Sequence, residues 1–238
     1  MKENGTKHLN YRVYTSMERA LNVLLTGNLY ISNGKNWNDR EDSDIMRQRK
    51  LFGTCFSCST RENIAMWMLY GDKSGKNGAM LKFTQSAIKE IMNLERISLG
   101  YFNDNGKYVE SYILCRKNDD FRVFFTDMIY IDPCKNDKVK ISYDKNIVTV
   151  DNSVLITNDI FYKNIAWEYE KECRLIIKLS KKCYENAENE NLSIIKICLS
   201  NKTINKMKKN GLVRSPTYSG SAEYGLLSSL TGKVIWNI

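Results

Sequence analysis

The chain has 238 residues, 42% of them hydrophobic, with 14 Tyr, 8 Phe, 4 Trp and only two prolines. That is enough apolar mass for one large domain or two small ones, and it excludes an intrinsically disordered chain. The 36 basic side chains against 27 acidic ones leave a charge of +9, which favours polyanionic partners such as nucleic acid or nucleotides; the alternative reading is scattered lysines of the kind an AT-rich genome would encode.

In chain order, the start MKENGTKHLN has no apolar core of a signal peptide, so secretion is not expected. Residues 10–14 alternate weakly and predict a short strand. Thr15 or Ser16 then caps a helix with the apolar face Ala20, Leu21, Val23, Leu24 and Leu25. Arg19 stands where a capping box would place Glu. Gly27 is a suitable breaker, and Leu29–Ile31 reads as a strand. Residues 32–50 are polar and predict a loop, with a helix possible after it. Phe52 to Phe56 is the next strand, and Ser59 or Thr60 starts a helix through Tyr70. Ala79 to Phe83 reads as a strand and 84–95 as an amphipathic helix. Residues 97–115 form a hairpin around Asn103-Asp-Asn-Gly106. The aromatic run 119–131 is helix or strand. Val139 to Tyr143 and Ile147 to Val150 pair as a second hairpin.

Residues 154–165 read as helix or extended approach, and Glu168 to Leu179 as a late strand. Ser193 to Leu199 is a strand, Lys202 to Lys209 a helix, and Lys233 to Ile238 a terminal strand. No run of 18 apolar residues exists, so nothing is expected to span a membrane. Strands arrive as hairpins more than as βαβ units, which predicts an α+β fold with mixed or antiparallel sheets and flanking helices. The expected organisation is a single domain over 1–238, with a core at 10–200 and a Ser/Gly/Tyr-rich extension at 201–238. Seven cysteines, an odd number, point to a reduced cytoplasmic protein with free thiols.

Three blocks carry the candidate chemistry. On a strand, Glu168, Glu170, Glu172 and Arg174 share one face and Trp167, Tyr169, Cys173, Leu175, Ile177 and Leu179 the other. Such crowded carboxylates are either a solvated face with Glu172 paired to Arg174, or a catalytic acid at a cleft. Tyr14, Thr15 and Ser16 end the first strand, where they cap the helix or line a pocket. Trp67 and Tyr70 share a helix face, as core or as a stacking platform. Cys55-Phe-Ser-Cys58 is a lone CxxC. With His8 the only histidine, it lacks the ligands for zinc, and no metal is expected. No phosphate-binding glycine motif or nucleophile elbow is present.

These blocks resemble bacterial domain-of-unknown-function family 2971. The family pattern is matched by Tyr14-Thr-Ser16, Asn38-Asp-Arg-Glu41 with Arg40 in place of proline, Cys55-Phe-Ser57, Met66-Trp67 with Tyr70 and Gly78, and Trp167 through Leu175. More distantly, Tyr14-Thr-Ser16 with its helix, Cys55-Phe-Ser57 with a Tyr70-bearing helix, and Glu172 opening a strand are similar to the three pieces of the NAD site in ADP-ribosyltransferases related to poly-ADP-ribose polymerases. Tyr14 replaces the histidine of that pattern. The resemblance implies a split sheet and NAD as substrate. It implies Glu172 as the catalytic carboxylate, with Glu170 as second candidate. NAD contacts would come from Tyr14, Thr15, Ser16, Asn38, Arg40, Ser57, Trp67 and Tyr70. The acceptor would be protein, nucleic acid or water, and the last would make the chain an NAD-consuming toxin or phage-defence effector. Two alternatives use the same residues differently. One is a metal-dependent nuclease built on Asp39, Glu41 and Glu170 or Glu172. The other is a non-catalytic nucleic-acid or nucleotide-binding module.

Overall fold

The structure, a computed structural model, describes residues 10–35, 37, 39–59, 63–71, 78–131, 140–142, 147–150, 153–156 and 159–214. The first half runs β1 (Asn10–Ser16), α1 (Met17–Thr26), β2 (Asn28–Ser32), α2 (Arg40–Arg49), β3 (Leu51–Ser57), α3 (Ile64–Met66) continuing as a π-turn (Trp67–Gly71), β4 (Gly78–Thr84), α4 (Gln85–Met92), β5 (Arg96–Phe102) and β6 (Tyr108–Cys115). The second half runs β7 (Phe121–Asp127), β8 (Ile129–Ile131), β9 (Lys140–Ser142), β10 (Ile147–Val150), β11 (Ser153–Ile156) and β12 (Tyr162–Asn164). A 3-10 segment (Ile165–Glu170) leads to β13 (Glu172–Leu179), α5 (Lys181–Asn189), β14 (Ile194–Cys198), α6 (Asn201–Asn210) and β15 (Leu212–Arg214).

Hydroxyl and carboxylate caps set where the helices begin. Ser16, Thr84, Ser180 and Ser200 each accept from the backbone N–H three residues on, and Asp39 accepts from Glu41 and Asp42. Each such bond satisfies a donor that the helix cannot, worth about 1 kcal/mol. Gly27 closes α1 at φ 72°, where a side chain is disfavoured.

Among the described residues, ten strands form one sheet in which every pairing is antiparallel. Its hub is β3. Along one edge β3 pairs with β13 for seven residues, and β13 pairs in turn with β7. The other edge of β3 is shared: it meets β2 at Gly53 and β1 at Ser57. The sheet therefore forks there, one arm continuing as β1-β4-β15 and the other as β2-β14-β5-β6. Apart from this sheet, β9-β10-β11 form a meander and β8 pairs in parallel with β12.

The main core lies on one side of the sheet, under α1, α4 and α6. At its centre Phe56 meets Tyr11, Phe83 and Phe125 edge-on, at centroid separations of 5.3–6.4 Å. Such contacts add about 0.5–1.5 kcal/mol each beyond area burial. The opposite side carries two smaller clusters, Met46, Leu51, Met128, Ile160, Phe161 and Ile176 in one and Tyr14, Met66, Trp67 and Met80 in the other. As a result β13 is covered on both faces. Leu175 and Ile177 point into the main core and Ile176 into the second cluster.

The mostly antiparallel α+β architecture agrees with the strand spacing, and β9 and β10 pair as the hairpin pattern predicts. Four features differ from the sequence reading. The late strand begins at Glu172, because Lys171 turns left-handed (φ 45°) and residues 165–170 coil as a 3-10 segment. The helix α5 is absent from the sequence reading: it is mostly polar, with only Ala187 buried, and so lacks an apolar run to mark it. Residues 201–214 belong to the core, with Ile204, Met207 and Leu212 packed in it and β15 paired to β4. The terminal strand expected at Lys233 to Ile238 lies outside the described residues. Finally, Cys58 and Cys173 are joined in a disulfide within the main core, where free thiols are expected from the odd count. Among the described residues Cys55, Cys115, Cys183 and Cys198 are free. No described helix is long and apolar enough to cross a membrane.

Candidate functional site

Strand pairing dictates which side chains share the face opposite the main core. Ser57 stands across from both Arg12 and Glu172, and Cys55 across from Arg174. With a period of two, Tyr14, Cys55, Ser57, Glu172 and Arg174 all lie on that one face. Four further segments cover it: α2 with Asp42, the π-turn with Trp67 and Tyr70, β12 with Lys163, and the 3-10 segment with Glu170.

The centre is Arg174, whose side chain is wholly buried. Its guanidinium donates to Glu172 Oε1 from Nε at 2.6 Å, to both oxygens of Asp42 (2.8 Å from Nη1), and to the carbonyl of Ile160 at 2.7 Å. The two-pronged grip on Asp42 uses the planar fork that arginine alone provides. The indole of Trp37 lies 5.2 Å from the guanidinium. Lys163, also buried, reaches three carboxylates, Glu170 at 2.9 Å and Glu172 and Asp42 at 3.4 Å each. The ring of Trp167 sits 4.5 Å from its ammonium.

Glu170 completes the cluster. Its Oε1 accepts from the Tyr70 hydroxyl at 2.8 Å and its Oε2 from Lys163. Ser57 fixes the backbone here, its hydroxyl donating to the Glu170 carbonyl at 2.8 Å. The Glu172 N–H donates to the Tyr130 hydroxyl at 2.8 Å. Three carboxylates thus face two cations in a largely buried site, with half-buried Tyr70 and exposed Cys55 at its margin; an unpaired charge there is costly and a paired one tightly held.

The two glutamates are pushed apart in acidity. Burial works against ionisation of Glu172, but Arg174 and Lys163 outweigh it and hold the carboxyl below its usual range. Burial dominates at Glu170 and leaves its carboxyl raised, despite Lys163 and Tyr70, with the Glu172 charge adding to the rise. The Tyr70 and Tyr130 hydroxyls are pushed up, mainly by burial. For Lys163 burial works downward, but Glu172, Glu170 and Asp42 raise its value. Cys55 reaches solvent, yet the mass of protein around its thiol and the Glu172 charge push that thiol well up. It is a protonated neighbour of the cluster, not a nucleophile of the thiolate kind.

The residues singled out from sequence are distributed as follows. Glu170, Glu172 and Tyr70 meet in the cluster, with Ser57 bonded beneath it. Tyr14 and Trp67 are buried against one another edge-on, 4.9 Å between centroids, in the small apolar cluster that Tyr70 flanks. Ser16 is the cap of α1, and Thr15 points to the side of the sheet away from Tyr14. Arg40 is exposed in the first turn of α2, whose N-terminus is already occupied by the Asp39 carboxylate. Asn38 lies outside the described residues. Glu168 is exposed and pairs with Lys171, so it leaves the face that a straight strand would give it. Asp39 and Glu41, acids of the nuclease alternative, do not join the cluster; Asp39 caps the helix and Glu41 is exposed. Asp42 does join it.

Asp42 and Lys163 had no signal in the sequence. Asp42 sits in a helix of mostly polar residues, and Lys163 in a three-residue strand. The unbalanced acids at 168–172 were a cue that a cation had to arrive from elsewhere. Among the described residues, Cys58, Asp127 and Cys173 bring metal-type ligand atoms within 4.8 Å of one another. The two sulfurs there are bonded to each other and therefore not free to ligate.

Fold and site define an α+β protein with a buried Asp-Arg-Glu-Lys-Glu cluster at the fork of its sheet. Residues 66–175 match a family model described as protein of unknown function (DUF2971), in support of the first resemblance. The matched stretch holds Trp67, Tyr70, Lys163, Glu170, Glu172 and Arg174, whereas Tyr14, Asp42 and Ser57 precede it. No curated protein and no solved structure matches the chain.

Proposed function

We propose that the chain is an ADP-ribosyltransferase-like enzyme that takes NAD as substrate and breaks its nicotinamide–ribose bond. The observation that carries this reading is the adjacency of β13, β3 and β1. Three blocks that lie far apart in sequence stand side by side there, with Ser57 across from both Glu172 and Arg12. The resemblance to ADP-ribosyltransferases implies a site assembled from three such pieces. Tyr70 and Glu170 touch, and Tyr14 lies against Trp67 three residues before Tyr70.

The chemistry follows from the two acidities. As the bond breaks, nicotinamide leaves with the bonding electron pair and positive charge grows on the anomeric carbon. Glu172, held ionised by Arg174 and Lys163, is a preorganised anion that stabilises this charge without reorientation. Glu170, with its raised carboxyl, is suited to take the proton of the attacking acceptor, and Tyr70 orients it. Because Trp67 is packed against Tyr14, the aromatic edge left for the nicotinamide is that of half-buried Tyr70. The acceptor is a protein, a nucleic acid or water; with water the activity is NAD hydrolysis of the toxin or defence type.

In this reading the nuclease alternative loses its metal site. The carboxylates that meet already have Lys163 and Arg174 between them, and a divalent ion would have to displace both cations. Incubation with NAD, with and without cell extract, should release free nicotinamide. Glu172→Gln should abolish release even below its thermal midpoint, which falls because Arg174 and Lys163 lose a buried carboxylate partner. Equal release by that variant, or none by the wild type with any acceptor, overturns the proposal.

A further inference from the structure

We infer that the outer face of α6 is a docking surface for the phosphate backbone of a nucleic-acid duplex. The helix reads NKTINKMKKN, with four lysines and no acid. Its inner side is occupied, since Thr203, Ile204 and Met207 are buried against the core. At 3.6 residues per turn, Lys202, Lys206 and Lys209 fall within an arc of about 60° on the opposite side. All three are exposed. At 1.5 Å per residue the stripe runs about 10 Å along the axis.

This arrangement works against the fold. Lys202 and Lys206 are four apart, and Lys206 and Lys209 three apart, spacings at which like charges destabilise a helix. Among the described residues no ion pair relieves them. Glu90, which reaches the start of the helix, is turned to Ser200 and Thr203. A helix shaped for stability alone would interleave glutamates here.

The chemistry of the face selects the partner. It has no aromatic ring on which an unpaired base could stack, the usual grip on single strands. Its apolar side chains all point inward, so nothing inserts into a bilayer. What remains is a line of point charges flanked by the exposed amides Asn201 and Asn205, suited to sequence-independent phosphate contact. This binding requires no NAD and stands apart from the chemistry proposed for the buried cluster.

The test is fluorescence anisotropy with a labelled DNA duplex, with no NAD, between about 50 and 200 mM salt. Three phosphate contacts contribute a slope of about −2.7 in log K against log salt, or about 40-fold in affinity over that range. The triple variant Lys202→Gln/Lys206→Gln/Lys209→Gln should lose that share of the slope. Lys206→Glu should weaken binding while its thermal midpoint holds or rises, which separates docking from unfolding. The inference is overturned by no binding of the wild type at the lowest salt. It is overturned equally by an unchanged slope in the triple variant, or by preference for phosphatidylserine vesicles over duplex at equal phosphate.

Discussion

Replacing Lys163 with methionine tests whether the buried cluster is held by charge balance. The lysine side chain is 7% exposed and lies within 3.4 Å of Asp42, Glu170 and Glu172, so water cannot take its place. Arg174 still grips Asp42 and Glu172 in the variant, but Glu170 keeps only the Tyr70 hydroxyl. Removing one partner of a buried pair costs about 3–5 kcal/mol. With about 2.1 cal/mol/K of unfolding entropy per residue over 238 residues, that is a fall of about 6–10 °C in thermal midpoint. The sign with pH is fixed by Glu170, whose carboxyl already lies above its usual range and rises further without the lysine. A carboxyl raised on folding makes the native state bind more protons, so its stabilising contribution is full below the unfolded value and is lost as pH rises through the folded one. The deficit of the variant should therefore shrink as pH falls from about 8 to 5. Calorimetric scans of both proteins across that range measure it, and Glu170→Gln in the Lys163→Met background should recover part of the loss. A midpoint within about 2 °C of wild type at neutral pH, where about 6–10 °C is expected, or a deficit that widens on acidification, refutes the reasoning.

Other outcomes follow from local geometry. A methyl group at Gly53 would lie 2.8 Å from Ile176 Cδ1 and 2.9 Å from Met46 Cε, so Gly53→Ala should cost about 1–3 kcal/mol in urea unfolding; an unchanged midpoint means that the second cluster is looser than described. Ser200→Ala removes the α6 cap and an Oγ contact with Glu90 and should cost about 1 kcal/mol by the same assay. Glu90 is held below its usual range because bonds from Thr203 and Ser200 outweigh burial; its contribution, present above the unfolded value, should fade as pH drops below about 4. Reducing Cys58–Cys173, which closes a sequence separation of 115 residues, should lower stability by about 4–5 kcal/mol on the chain-entropy model. Equal urea midpoints with and without dithiothreitol, while two additional thiols titrate, would count against that bridge.

Much of the fold is legible in the sequence wherever one local rule acts alone. Ser16 capping α1 and Gly27 ending it are read from residue type, and so is the turn at Asn103-Asp-Asn-Gly106. The site is less legible because its charges arrive from four separate segments. The alternation of Glu168, Glu170, Glu172 and Arg174 suggests a strand, and three of the four do share a place. They do so across a break in backbone direction at Lys171 that alternation cannot report. Arg174 looked like half of a surface pair with Glu172. The pair exists, but burial by α2 and β12 turns it from a solvated contact into a structural centre. The pairing of Cys58 with Cys173 was hidden for the same reason, since nothing in a lone CxxC indicates that its second thiol faces a strand 115 residues away.

The left-handed residue between the two glutamates has a consequence for how this chain can vary. A glycine there would relax the φ of 45° at Lys171, whereas a single-residue deletion would place Glu170 one step out of phase and swing its carboxylate away from Lys163. Spacing at this joint is thus as much a part of the chemistry as the acids themselves. Relatives that keep both glutamates but alter the count between them should have lost the shared ammonium.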